Sequence, residues 1–189
     1  AGAVFVFERI DGHFALQGEL SAPEPQAGDG FGSALSLLGE TLVVGAPLRD
    51  EALVKDAGAA YVFAREDGRF VFKETILGAA EERGLFGLSV SLSYTRGLAQ
   101  RLLVGAPGQV VQAFAGAGMV RVFERSGTPS FVEFSGLTSN APSAGASFGT
   151  TLAQERGWAV IGSNGDCTRH PPEVFVNSEE GLTHHSLLA

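Results

Sequence analysis

The chain has 189 residues, with 13 Lys and Arg against 21 Asp and Glu, and its formal charge of −8 leaves no basic surface broad enough to hold a nucleic-acid backbone. At 44% hydrophobic and 18% charged it is too apolar for a disordered chain, and no apolar run approaches the ~20 residues of a transmembrane helix. A single cysteine, Cys167, excludes an internal disulfide.

In chain order, the first strand signal is GAVFVFER at 2–9, turned back at Asp11-Gly12. Four strands are expected next: FGSALSL at 31–37, TLVVGA at 41–46, AAYVFARE at 59–66 and RFVFKETIL at 69–77. Asp67-Gly68 joins the last two. Between the second and third of these, LRDEALVKDA at 48–57 has room for one helical turn, as an ornament on a loop. The same succession then returns twice. Phe86-Gly87 is followed by RLLVGAP at 101–107 and GMVRVFER at 118–125, and Phe148-Gly149 by WAVIGSN at 158–164 and the weaker PEVFVNSE at 172–179.

The spacings are regular. Phe31 to Phe86 is 55 residues and Phe86 to Phe148 is 62; Gly45 to Gly105 is 60 and Gly105 to Gly162 is 57. Three anchors in fixed order define a repeat of about 57 residues. Runs such as AVFVF, TLVVGA and YVF are apolar on consecutive residues, which predicts strands covered on both faces of their sheet. Small four-stranded sheets, covered on both faces and repeated at constant period, stack radially. The expected architecture is an all-β propeller of four-stranded antiparallel blades.

If Phe-Gly opens each blade, residues 1–22 are the outer two strands of a blade. Residues 23–78, 79–137 and 138–189 are three further blades, the last degenerate. About three and a half blades result, which do not close a ring, so residues 1–22 are expected to pair with strands outside this stretch. Those strands would come from another chain, from a further part of the same protein, or from a homo-oligomer. Phe31, Phe86 and Phe148 are expected as wedges between blades, and Pro47 and Pro107 as strand ends that lack an N–H to donate.

Phe31-Gly32 with Gly45-Ala46-Pro47, Phe86-Gly87 with Gly105-Ala106-Pro107, and Phe148-Gly149 with Gly162 resemble the FG-GAP repeat. That repeat is the blade unit of the integrin α-subunit propeller and of many bacterial secreted proteins. The resemblance implies a non-enzymatic extracellular module for adhesion, protein binding or assembly. A glycan-binding propeller, or the accessory propeller of a larger secreted enzyme, is the alternative. Integrin-type blades also imply calcium, held in DxDxDGxxD loops between the first and second strands. The corresponding stretches here are LLGET at 37–41, SYTRGLAQR at 93–101 and AQERGW at 153–158. They lack the spaced carboxylates that six to eight oxygen ligands require, so no cofactor is expected.

Binding residues are expected on the loops after Pro47 and Pro107 and around Asn164–His170, with Asp50, Glu51, Asp166 and His170 as candidates. Cys167 and His170 are two zinc-ligand types three residues apart, but a four-coordinate site needs two more. Tyr94 and Trp158, at first-to-second-strand turns, are the aromatic platforms a sugar would use. No catalytic elbow, metalloprotease helix or carboxylate pair marks an active site.

Overall fold

The computed structural model describes residues 1–165, and beyond them the backbone of two strands at 173–178 and 181–185. The described residues form fourteen strands: β1 (Val4–Ile10), β2 (His13–Leu20), β3 (Ala34–Leu38), β4 (Thr41–Ala46), β5 (Ala59–Glu66), β6 (Arg69–Leu77), β7 (Ser89–Tyr94), β8 (Gln100–Ala106), β9 (Met119–Arg125), β10 (Val132–Leu137), β11 (Phe148–Glu155), β12 (Trp158–Ser163), β13 (Glu173–Ser178) and β14 (Gly181–His185). They make one two-stranded sheet, β1-β2, and three four-stranded sheets, β3 to β6, β7 to β10 and β11 to β14. Each strand pairs antiparallel with its neighbour in sequence, so every sheet is a meander. The architecture is all-β and propeller-like, with no helix and no closed ring among the described residues.

Strand register identifies the isolated pair. A bulge falls at Val6/Phe7 between β1 and β2 and at Val62/Phe63 between β5 and β6. The β9–β10 pair breaks at the same place, across Val122 and Phe123. Each time the fourth strand holds one extra residue, Gln17, Lys73 or Phe134, which bends the hairpin and increases its twist. β1 and β2 are therefore third and fourth strands of the repeating unit.

Three apolar clusters lie between successive sheets. Phe31 sits with Val4 and Ala22 on one side and Val44, Tyr61 and Phe63 on the other. Phe86 is enclosed by Val43, Ala60 and Val62 of one sheet and by Val90, Leu102 and Phe123 of the next. Phe148 packs against Leu103, Val120 and Val122 together with Ala159 and Ile161. Burying each of these rings contributes about 1.5–3 kcal/mol. All six residues of β4 are buried, as a strand covered on both faces requires. β1 differs from that reading of its apolar run: Phe5 and Phe7 are exposed, because no sheet among the described residues covers that face.

The sheets meet backbone to backbone at several glycines, among them Gly45 and Gly105 within the second strands. A Cβ on Gly45 would lie 1.9 Å from the carbonyl oxygen of Gly87, and one on Gly105 would lie 2.1 Å from that of Gly149. Ser89 Oγ donates to the same Gly149 carbonyl at 2.6 Å. At Gly162 the added atom would instead meet Thr151 Oγ1, within its own sheet.

Arg121 covers the Phe86 wedge. Its guanidinium carbon lies 5.5 Å from the Phe86 centroid and 5.6 Å from that of Phe123, and its Nε donates to Glu133 Oε1 at 2.8 Å. The hydrogen bond from Arg121 holds the Glu133 carboxyl below its ordinary value. A carboxylate with a depressed folded pKa stabilises above its unfolded pKa, and that stability is lost as pH falls through the folded value. Glu133→Gln is thus expected to lower the neutral plateau of a stability–pH curve slightly and to flatten its acid limb below about pH 4.3, so that the two proteins converge in acid. Urea midpoints measured from pH 7 downward check this.

Candidate binding face

Two loops of equal length join second to third strands, one between Ala46 and Gly58 and one between Ala106 and Gly118. Their backbones follow one hydrogen-bond plan. Gly58 N–H donates to the Arg49 carbonyl at 2.9 Å, and Gly118 N–H to the Gln109 carbonyl at 2.9 Å. A tight turn forms within each, bridging Glu51 to Val54 and Val111 to Phe114. The connector entering the next sheet then donates to the loop: Arg83, Leu85 and Phe86 to Lys55, Asp56 and Ala57, and Gly145, Ser147 and Phe148 to Ala115, Gly116 and Ala117. The stretch 48–57 forms turns and a bridge but no helical turn. Backbone angles of φ 52° at Ala52 and 53° at Asp56 reverse the chain before a turn of helix can close.

On this common scaffold the side chains diverge. The first loop carries Arg49, Asp50, Glu51, Lys55 and Asp56, whereas the second is uncharged: Gln109, Val110, Val111, Gln112, Ala113 and Phe114. Leu53 stands fully exposed at the tip of the first, and Val110 and Phe114 are exposed on the second. The two loops share one surface, because Gly108 N–H donates to Gly84 and Val110 N–H to Glu81 Oε1 at 2.7 Å, both on the connector that the first loop engages.

Of the four ligand-face candidates, two are described. Asp50 Oδ1 accepts the Asp56 N–H at 2.9 Å, and Glu51 pairs with Arg49, so both carboxylates brace their own loop. Asp166 and His170, with Cys167, lie outside the described residues. The exposed apolar residues Leu53, Val110 and Phe114 were not singled out by sequence reasoning. An apolar residue reads as core unless the loop around it is known to be a turn. Beneath the first loop, Tyr61 and Arg49 line a cavity of about 210 Å³ with Glu24 and Phe72. Burial pushes the Tyr61 phenol up.

The opposite face carries the first-to-second-strand turns. Glu40 is the carboxylate of the turn at 39–40, the turn at 95–99 has none, and Arg156-Gly157 form the third. These residues do not fit a calcium ion, which takes six to eight oxygens. Tyr94 lines a cleft of about 360 Å³ with Leu98, Arg125 and Thr128. Trp158 is exposed at the neighbouring turn.

The described residues place repeat glycines and phenylalanines between sheets, and loop side chains on one face. No curated protein gives a significant match to the chain. The family model of the FG-GAP repeat matches residues 14–63, from within β2 to within β5. Residues 14–63 are thus similar to an FG-GAP repeat, and the unit around Phe86 repeats the same strands and loop hydrogen bonds.

Proposed function

We propose that the chain is a non-enzymatic, extracellular protein-binding module for adhesion or assembly, which presents the loops 47–58 and 107–118 to a protein partner. FG-GAP repeats are typically structural or binding modules of extracellular proteins, which supports the class. One observation carries the choice of face: two loops of the same backbone hold different side chains, with Leu53, Val110 and Phe114 turned to solvent. Variable side chains on a fixed scaffold are how binding specificity is usually built. Replacing Leu53→Asp together with Phe114→Asp is expected to abolish partner capture from native material without changing the melting temperature. Undiminished capture by that variant would sink this reading.

The module is proposed to work without calcium. Its melting temperature is expected to be the same with EDTA as with millimolar calcium; a clear fall in EDTA would contradict this. The Tyr94 cleft, with Trp158 exposed on another first-to-second-strand turn, favours glycan binding as the second reading, which a glycan array separates from the first.

A further inference from the structure

We infer that the open edge of β1 is the seat of one antiparallel strand pair of FG-GAP type, supplied from outside these residues, whose second strand places a glycine opposite Val4. The inference rests on the fold and is independent of the loop face.

β5, β9 and β13 each pair on both sides, with a second and a fourth strand. β1 is the corresponding third strand, and among the described residues it pairs only with β2. What is missing beside it can be read from the equivalent positions. Val90 and Leu92, four and six residues after Phe86, are each 8% exposed and pack against Val43 and Val62 of the preceding sheet. Leu35 and Leu37, four and six residues after Phe31, are 52% and 62% exposed. Among the described residues no second strand stands in front of them.

The phenylalanines give the second specification. Tyr61 and Phe63 are covered by the Phe31 ring, at centroid distances of 5.5 and 6.2 Å. Their equivalents by register, Phe5 and Phe7, have no such ring and are exposed. A Phe-Gly at the head of the incoming pair would cover them.

The glycine gives the third. Register pairs Leu42 with Phe63 and Gly45 with Ala60, so an incoming second strand sets its apolar residue against Phe7 and its glycine against Val4. At Gly45 any side chain would strike the carbonyl of Gly87, the second residue of the next Phe-Gly. Gly32 holds that place here, with Ala3 and Val4 already against it. Phe-Gly, then apolar residues, then glycine is the chemistry of an FG-GAP inner hairpin, added by strand pairing. A second copy of the chain does not supply it: its inner pairs β3–β4, β7–β8 and β11–β12 are each already bonded to a third strand.

The test uses the intact chain and a labelled peptide of residues 30–47, followed by fluorescence anisotropy. Saturable one-to-one binding is expected, weakened about tenfold or more by Gly45→Val in the peptide and by Leu35→Lys in the chain. Absence of saturable binding, or binding indifferent to Gly45→Val, overturns the proposal. A native mass of two chains that the peptide does not reduce overturns it too, in favour of a second copy. Where the peptide does not stay in solution, a chain with residues 28–57 duplicated directly ahead of Gly2, the equivalent of Gly58, decides. It should melt higher and slow amide exchange in Val4–Ile10; no change in either overturns the proposal.

Discussion

Gly105→Val is expected to destabilise the chain by about 3 kcal/mol, the upper end of what overpacking costs. The reason is positional. The new Cβ would lie 2.1 Å from the Gly149 carbonyl oxygen and 2.3 Å from Ser89 Oγ, and the first of these is backbone of the next sheet. Relief requires the two sheets to separate, which uncovers Phe148 and the cluster around it. Gly45→Val meets the same obstacle at Gly87 and should cost as much. Gly18→Ala is the control. Its Cβ would meet nothing within 4 Å, and the change should stay within about 0.5 kcal/mol. Urea unfolding of the three variants reads the difference directly, and equal losses would show that close approach between sheets is not what these glycines permit.

Phe86→Ala should be comparably severe, at about 3–5 kcal/mol. The ring is fully buried, meets Phe123 edge-on at 6.2 Å and supports the Arg121 guanidinium, so truncation leaves a cavity at a junction of two sheets. Phe14→Ala removes an equally large ring from an exposed site on β2 and should change stability by no more than about 0.5 kcal/mol. Because repeat stability is a sum of unit and interface terms, Phe86→Ala should also broaden the urea transition as the sheets on either side uncouple. A sharp, unshifted transition would contradict the wedge.

The fold was legible because its determinants are local and repeated. TLVVGA and RLLVGA are apolar on consecutive residues from Leu42 and Leu102 onward, a pattern of strands covered on both faces, and Asp67-Gly68 fixes the turn to the next strand. Repetition then separates these signals from chance. The run AVFVF misled on burial, since the same Val-Phe pattern is covered in β5 and β9 and exposed in β1. Exposure there depends on what stands next to the sheet, which no residue within β1 encodes.

The candidate face was less legible for a related reason. The segments 48–57 and 108–117 share little sequence, yet both are held by backbone donors from the following connector. Backbone hydrogen bonds leave no residue signature. Asp50 and Glu51 drew notice as exposed acids, but their partners are the Asp56 N–H and Arg49, two contacts that only a folded loop reveals. Leu53 and Phe114 are apolar residues at turn positions, and periodicity cannot distinguish them from core.

Hydrogen exchange of three equivalent strands tests the central claim, an open arc of blades whose first member is a half. The strands are Val4–Ile10, Ala59–Glu66 and Met119–Arg125. Exchange followed by mass spectrometry in the free chain should show the latter two protected along their length, with alternate amides of the first exchanging fast at its unpaired edge. Equal protection of all three would mean that β1 is already paired on both sides, and the open half-blade would not exist.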